Sequence, residues 1–216
     1  MLHGRASRGE RVLDAGCGTD RHAQALIELG CSVSLLDASA ELLAIARTRC
    51  PSAPAIFGDV CGFSTDAPFD AITCRGVLND LISDRERDDA LAAFSGALAP
   101  GGVLVLDVRE VEDSAARADG RTRCVDVELP SGEQLRFSST PRWDSGLIEV
   151  AETYELNGVS GESVVHEYAI QMRPWTRGEL QERLERAGFE NITIGEGVGR
   201  TTSDRLLVVA RTGPRT

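Results

Sequence analysis

The sequence predicts an α/β fold with a seven-stranded, mostly parallel sheet flanked by helices and an antiparallel β insertion after the fifth strand. Three observations predict it. Residues 11–109 alternate short apolar runs with helical patterns, which is typical of parallel strands separated by helices. From about Thr122 to Arg173 the apolar periodicity changes to two, which indicates an antiparallel sheet. A helical pattern and two strand-like runs follow and would complete the first sheet.

The parallel part is predicted to contain five strands and three helices. The strands are expected at Arg11–Ala15, Ser32–Asp37, Ala55–Gly58, Ala71–Cys74 and Val103–Val108. The helices are expected near Arg21–Leu29, Ala40–Arg49 and Arg85–Leu98. Ser83 and Glu86 have the spacing of a capping box, in which each side chain accepts from a backbone amide freed at a helix start. The third helix therefore begins there, and it ends before Pro100-Gly101-Gly102.

The insertion is predicted from its turns, and the last elements from a second capping pattern. Turn residues cluster at Pro130-Ser131-Gly132, Asp144-Ser145-Gly146 and Asn157-Gly158. Thr176 and Glu179 again have capping-box spacing, and Gly188 is expected to stop that helix. Two final strands are expected near Glu190–Gly195 and Arg205–Arg211.

The composition is that of a globular protein with an acidic surface. Of the 216 residues, 42% are hydrophobic and 26% are charged, and the formal net charge is −11. Nucleic-acid binding normally requires a basic stripe that neutralises phosphates, and the sequence contains none, so a nucleic-acid substrate is disfavoured. The six cysteines lack the spacing of metal ligands, so no metal site is expected.

No segment is expected to cross a membrane or to direct secretion. No apolar run is long enough to span a bilayer, and Met1–Glu10 is polar where a signal peptide would be apolar. We therefore expect a cytoplasmic protein that acts on a small molecule. The sequence does not decide the oligomeric state and leaves a homodimer open.

A glycine-rich turn follows the first strand and leads directly into a helix. In Asp14-Ala15-Gly16-Cys17-Gly18 the glycines allow backbone amides to approach a ligand at the helix N-terminus. Asp37 ends the second strand 19 residues after Gly18, and Asp59 ends the third. Because ligands bind at the carboxyl ends of parallel strands, the turn and both acids are expected to border one nucleotide-binding crevice. Taken singly, the turn could be purely structural and either aspartate a helix cap.

Two classes of nucleotide cofactor fit such a crevice. The dinucleotide fingerprint requires a third glycine where Arg21 stands, which argues against a nicotinamide-dependent oxidoreductase. Five motifs follow one another in the sequence: VLDAGCGT at residues 12–19, LDAS at 36–39, GD at 58–59, FDAI at 69–72 and LAPGG at 98–102. In these motifs the sequence resembles the class I S-adenosylmethionine-dependent methyltransferases, in particular small-molecule N- and O-methyltransferases.

The resemblance implies a Rossmann-like fold with S-adenosyl-L-methionine as cofactor, and it implies roles for particular residues. Gly16 and Gly18 would pack under the methionyl part of the cofactor, and Asp37 would hold its ribose. Asp59 and Val60 would contact the adenine. The implied cofactor-binding residues are Asp14, Ala15, Gly16, Cys17, Gly18, Asp37, Ala38, Asp59, Val60, Cys74 and Arg75.

The resemblance also implies how the chain is organised. Residues 1–216 would form a single methyltransferase domain, with a cofactor-binding core at 11–110. An antiparallel, substrate-side insertion at 120–173 would roof the substrate pocket, and residues 174–216 would complete the core. The segment Cys74–Leu81, after the fourth strand, would lie beside the transferred methyl group and the substrate.

Methyl transfer from a sulfonium is an in-line displacement, which needs alignment of the reactants and no nucleophilic side chain of the enzyme. A base is still required where the acceptor carries a proton. The candidate catalytic residues are Asp80 and His166, and the candidate substrate ligands are Arg75, Asn79 and Tyr168. Alternatively, Arg75, Asn79 and Asp80 form a capped turn with an ion pair. His166 alternates with Tyr168 on one face of the last insertion strand and could instead be a core residue.

The predicted function is S-adenosylmethionine-dependent transfer of a methyl group to an amine, hydroxyl or carboxyl group of a small molecule. Two departures from the family motivate an alternative, a catalytically weak cofactor-binding subunit that needs a partner. Asp20 stands where the family usually has another glycine. Only ten residues precede the first strand, where relatives usually carry a helical segment that closes over the site. The sequence does not reveal the identity of the substrate.

Overall fold

The structure, a computed structural model, describes residues 9–197 and 204–214. Residues 1–8, which include most of the polar N-terminal segment, lie outside the described part, as do residues 198–203 and 215–216. The chain forms two compact units. Unit 1 consists of the chain up to Arg109 and from Trp175 onwards, and unit 2 is Glu110–Pro174. The organisation of residues 1–216 as a single domain stays a prediction.

Eleven strands and five α-helices follow one another in the described part of the chain. In order they are β1 (Arg11–Ala15), α1 (Ala23–Glu28), β2 (Ser32–Asp37), α2 (Ala40–Arg49), β3 (Ala55–Phe57), β4 (Phe69–Arg75), α3 (Asp84–Ala97), β5 (Leu98–Arg109), α4 (Val111–Arg117), β6 (Arg123–Glu128), β7 (Gln134–Asp144), β8 (Leu147–Asn157), β9 (Ser163–Met172), α5 (Arg177–Arg186), β10 (Phe189–Glu196) and β11 (Arg205–Thr212). A short 3-10 turn, Val77–Asn79, follows β4.

Unit 1 is built on a seven-stranded sheet with the order β10-β11-β5-β4-β1-β2-β3. Neighbouring strands are parallel except for β11, which is antiparallel to both β5 and β10. The predicted α/β, Rossmann-like fold is therefore confirmed. The strand order reverses at β1, which pairs with β2 on one side and β4 on the other. Such a switch opens a crevice at the carboxyl ends of the strands.

Most predicted elements are present, and the differences have local causes. The bounds of β1, β2 and α2 are as predicted, whereas β5 begins at Leu98 because that residue already pairs with Phe69 of β4. Helix α4 was not predicted. Its N-cap is Glu110, whose side chain accepts from the Asp113 amide, and glutamate is not among the residues that usually signal a helix start.

The two predicted capping boxes differ in the structure. At α3 the box is complete, because Ser83 accepts from the Glu86 amide and the Glu86 carboxylate accepts from the Ser83 amide. At α5 only half of it forms. Thr176 accepts from the Glu179 amide at 3.0 Å, but the carboxylate of Glu179 pairs with Arg87 and Arg183 instead. Glu179 therefore joins α5 to α3 rather than capping its own helix.

Unit 2 carries a four-stranded antiparallel sheet with the order β6-β7-β8-β9, as the insertion was predicted to do. Paired residues point to the same face of such a sheet, so the register defines two faces. We call one of them the apolar face: Val125, Phe137, Tyr154 and His166 form one cross-strand row, and Val127, Leu135, Leu156 and Val164 form the next. The opposite face is charged and includes the ion pair between Arg136 and Asp126.

Within the described residues, no helix is both long enough and apolar enough to cross a membrane.

Candidate functional site

The glycine turn lies at the carboxyl end of β1, beside the switch in strand order. Gly16 and Gly18 have positive φ angles of 69° and 57°, a conformation that favours glycine. A Cβ atom on Gly16 would overlap the side chain of Val77, so the segment after β4 packs directly on the turn. The amides of Gly16 and Cys17 donate to the Leu36 carbonyl at 2.7 and 3.0 Å, which ties the turn to β2.

Asp37 joins the end of β2 to the same turn. One carboxylate oxygen accepts from the Gly18 amide at 2.7 Å, and the other accepts from the Ser39 amide at 2.8 Å. Each carboxylate oxygen can accept a second hydrogen bond. Asp37 thus fixes the turn and retains acceptor capacity for a hydroxyl-bearing ligand.

Two buried aspartates lie at the turn. Asp14 accepts from the Thr73 hydroxyl at 3.1 Å through Oδ1, and its Oδ2 has no partner among the described residues. Burial raises the pKa of Asp14 to about 6, and the nearby charges of Asp20 and Asp37 add to the effect. Asp20 has a φ of 60°, and its Oδ1 caps α1 by accepting from the Ala23 amide at 2.8 Å. Its Oδ2 is likewise buried and has no partner in the described part.

A pocket of about 240 Å³ opens over the turn. It is lined by Asp14, Gly16, Cys17, Gly18, Thr19, Arg21, His22 and Arg75. Thr19, Arg21 and His22 were not among the predicted site residues, although their place directly after the glycine turn was a signal for them. The pocket combines a buried carboxylate with two arginines, which matches a ligand that carries both a cationic and an anionic group.

Arg75 contributes the cationic side of the pocket from the end of β4. Its Nη1 lies 2.9 and 2.8 Å from the two ring nitrogens of His22, and its Nη2 lies 3.4 Å from Asp107 of β5. Because arginine has only donors, His22 accepts through one ring nitrogen. Arg75 thus forms an ion pair with Asp107 rather than within the segment after β4, and its guanidinium also lines the pocket.

The segment after β4 places Asn79 and Asp80 differently. Asn79 is buried, and its amide donates to the Gly76 carbonyl at 2.6 Å and accepts from the Arg109 amide at 2.7 Å. Both of these hydrogen bonds are to backbone groups, and the role of Asn79 as a substrate ligand stays a prediction. Asp80 is exposed, yet partial desolvation raises its pKa, an effect that Arg109 and Arg205 oppose.

The remaining predicted cofactor residues lie outside the pocket lining. Ala38 is exposed after β2, and Asp59 is exposed after β3, where it accepts from the Cys61 amide at 2.8 Å. Val60 is buried in the hydrophobic core. Cys74 is fully buried, and burial raises the pKa of its thiol far above the usual range.

His166 and Tyr168 belong to unit 2, where both are exposed on β9. Tyr168 makes an edge-to-face contact with Tyr154 at a centroid distance of 5.8 Å. Because His166 is exposed, the alternative that it is a core residue is wrong. Among the described residues, no group of three or more histidine, cysteine, aspartate or glutamate side chains is arranged to hold a metal ion.

Comparisons with known proteins agree on one class of enzyme. Residues 12–102 match a family model described as a methyltransferase domain. The chain is 34% identical over 190 residues to a dTDP-3-amino-3,6-dideoxy-alpha-D-glucopyranose N,N-dimethyltransferase of Streptomyces fradiae, covering 88% of this chain and 73% of the relative. It is 27% identical over 215 residues to a cypemycin N-terminal methyltransferase of Streptomyces sp, covering 94% and 84%.

A solved structure extends this similarity to the fold. An amino pentose methyltransferase from Micromonospora echinaspora, involved in calicheamicin biosynthesis and solved with S-adenosylmethionine bound, superposes with a TM-score of 0.80 at 28% sequence identity. The alignment covers 94% of this chain and 84% of that protein.

Proposed function

Because the chain belongs to the class I S-adenosylmethionine-dependent methyltransferases, we propose that it methylates the amino group of a small molecule, specifically of an amino sugar. S-adenosylmethionine is its cofactor. The comparisons favour neither of the alternatives, the nicotinamide-dependent oxidoreductase and the catalytically weak subunit. Location in the cytoplasm stays a prediction.

The pocket over the glycine turn fits the methionyl end of this cofactor. That end carries an ammonium, a carboxylate and a positively charged sulfur, and the pocket supplies the buried Oδ2 of Asp14 together with the guanidinium of Arg75. We assign the ammonium to Asp14 and the carboxylate to Arg75, because opposite charges pair most strongly where water is excluded. Asp37 would hold the ribose through its remaining lone pairs.

The other predicted cofactor contacts fit this arrangement through the backbone. Ala15, Gly16, Cys17 and Gly18 form the turn, while Ala38 and Asp59 lie in the loops after β2 and β3, where we propose that the adenine binds. When bound, S-adenosylmethionine supplies an electrophilic methyl group to a nucleophile held in line with it.

Asp80 is the proposed general base. An amine is protonated near neutral pH and must lose a proton before its nitrogen can act as a nucleophile. Partial desolvation raises the pKa of Asp80, which strengthens it as a proton acceptor, and its place after β4 is on the carboxyl edge of the sheet. His166 and Tyr168 are kept as substrate-side candidates of unit 2.

The observation that carries the amino-sugar proposal is the 34% identity to an amino-sugar N,N-dimethyltransferase over 88% of this chain. The test measures methyl transfer from S-adenosylmethionine to a nucleotide-linked amino sugar and to its hydroxyl counterpart, with mass spectrometry as readout. We expect one or two methyl groups on the amino sugar only, and a loss of about 100-fold in kcat for Asp80→Asn.

Other results would contradict the proposal in distinguishable ways. Equal transfer to the hydroxyl counterpart would reject the preference for amines. Transfer to glycine or to a peptide N-terminus, but not to the amino sugar, would replace the substrate class. Full activity of Asp80→Asn would reject Asp80 as the base while leaving the amine assignment in place.

We further propose that two copies of the chain associate through the apolar face of unit 2. On this face Val125, Val127, Val164 and Tyr168 are 56%, 43%, 48% and 54% exposed. A contiguous exposed apolar patch of this kind is typical of an interaction surface. A copy of the same sheet offers a matching apolar surface and aligned strands, as in the packing of two sheets.

A further inference from the structure

The segment that carries Asp80 is held from beneath by two buried side chains. We call residues 76–81 the Asp80 loop. The indole nitrogen of Trp175 donates to the Leu78 carbonyl at 3.1 Å, and Nε of Arg87 donates to the Leu81 carbonyl at 3.0 Å. These two carbonyls flank Asp80 in the chain, so both sides of the residue are fixed.

Trp175 and Arg87 form one unit. Both side chains are fully buried, and the guanidinium carbon of Arg87 lies 3.8 Å from the centroid of the Trp175 ring. Arg87 also pairs with Glu179 at 3.0 Å. A buried guanidinium is costly unless it is paired and hydrogen-bonded. Apolar side chains could fill this space but could not donate to the loop carbonyls.

Asn79, within the loop, is linked to Trp175 through the backbone of Arg109. Its Oδ1 accepts from the amide of Arg109, whose carbonyl accepts from the amide of Trp175 at 2.8 Å. A continuous chain of hydrogen bonds therefore runs from Leu78 through Trp175 and Arg109 back to Asn79. Since Arg109 is also one of the two charges that act on Asp80, its fixed backbone helps to define the surroundings of the carboxylate.

We propose that Trp175 and Arg87 are positioning residues that hold the Asp80 carboxylate in place for proton transfer, an inference that rests on the proposed role of Asp80 as base. Proton transfer needs a donor and an acceptor within hydrogen-bonding reach, and small displacements of a reacting group lower rates strongly. Loosening the loop would also increase the hydration of Asp80 and so reduce the partial desolvation that raises its pKa.

Trp175→Phe tests the proposal because it keeps an aromatic ring next to Arg87 and removes the indole N–H, together with part of the ring volume. We expect kcat to fall by about tenfold. The acid limb of the kcat–pH profile should move to lower pH, and the Kd for S-adenosylmethionine should change less than twofold. Arg87→Lys keeps a positive charge for Glu179 but loses Nε, and it should act in the same direction. Arg87→Lys therefore tests the same proposal if Trp175→Phe does not fold.

Two controls separate positioning from loss of stability. Phe189→Leu alters the same hydrophobic core at a side chain that cannot form a hydrogen bond to the loop, and it should leave kcat and the pH profile unchanged. In an Asp80→Asn background, Trp175→Phe should have no further effect on kcat, because the group that it positions is gone.

The outcomes distinguish this inference from the proposed function. An additive loss in the Asp80→Asn background would overturn the positioning role, as would wild-type kcat and pH profile in both Trp175→Phe and Arg87→Lys. Loss of activity in Asp80→Asn alone, with both positioning variants at the wild-type level, would reject only the inference. Wild-type activity of Asp80→Asn would reject the base and the inference together.

Discussion

Asp20 shows how one residue can satisfy a backbone requirement and add an electrostatic cost. It adopts a φ of 60° at a position where the related methyltransferases usually have glycine, and aspartate tolerates this conformation better than most side chains. Its Oδ1 accepts a hydrogen bond from the Ala23 amide at the start of α1. The cost is a second buried carboxylate beside Asp14, whose pKa it helps to raise.

The raised pKa of Asp14 makes the stability of the cofactor-free protein depend on pH. Its pKa is about 6 in the folded protein against 3.8 for an ordinary aspartate, so the folded state binds the proton more tightly. The stability that the folded state gains from this tighter proton binding is fully present below about pH 4 and is lost as the pH rises through 6. Asp14→Asn should therefore stabilise the protein by about 2–3 kcal/mol at pH 7.5 and hardly at all at pH 4.

Urea unfolding of the wild type and of Asp14→Asn at both pH values checks this prediction. Asp66→Asn, at an exposed position, is the control and should change little at either pH. An equal effect of Asp14→Asn at pH 4 and pH 7.5 would contradict the assignment of the titration to Asp14.

At this scale the sequence predicted which residues gather at the site better than it predicted what their side chains do. The position of Asp37 at the end of β2 predicted that it lies near the glycine turn, but its hydrogen bond to the Gly18 amide was not predicted. Asn79 was predicted as a substrate ligand, whereas its amide holds two backbone groups. Such bonds depend on the positions of residues distant in the chain, and local pattern does not encode them.

Among the elements, α3 and α5 allow a direct comparison of two glutamates at the same helical position. Glu86 and Glu179 both occupy the third position after the N-cap, but only Glu86 completes a capping box. Glu179 pairs with Arg87, whose side chain is fully buried, and with Arg183, which is 9% exposed. The same capping-box spacing thus caps a helix at α3 and forms a contact between two helices at α5.

Glu179→Gln should therefore destabilise the protein far more than Glu86→Gln. Glu179→Gln removes the negative charge that faces the fully buried guanidinium of Arg87, and the loss of one partner of a buried ion pair costs about 3 kcal/mol. Glutamine can still accept in a capping box, so Glu86→Gln should cost below about 1 kcal/mol. Urea unfolding of both variants at pH 7.5 measures the difference, and equal losses would show that Glu179 acts as an ordinary cap.

The elements themselves were the most predictable part of the molecule. Strands β1 and β2 are short apolar runs bounded by polar residues, and their limits follow from the sequence. The beginning of β5 at Leu98 was missed because Pro100-Gly101-Gly102 predicts a turn, and only pairing with Phe69 makes that stretch a strand. The missed helix α4 has neither a common N-cap nor a long periodic pattern.

For the whole molecule, charge and apolar surface act in opposite directions. A net charge of −11 makes two copies repel each other at long range, and this repulsion weakens as salt is added. The apolar face of unit 2 favours association at short range. Tyr168 and His166 lie on that face, so the proposed dimer and their predicted substrate-side roles involve the same surface.

Val164 and Val165 provide a matched test of the dimer, because they are neighbours in β9 that point to opposite faces. They are 48% and 54% exposed, and only Val164 belongs to the apolar face. A carboxylate buried in an apolar interface without a partner costs several kcal/mol, so Val164→Glu should raise the dimer Kd by about 100-fold or more. Val165→Glu adds the same charge to the opposite, charged face and should leave the Kd within a few-fold of the wild type, as measured by sedimentation equilibrium at 150 mM salt.

Two outcomes of this measurement would contradict the proposed dimer. A monomeric wild type at about 50 μM would reject the dimer, and equal weakening by both variants would place the interface elsewhere or assign the effect to net charge.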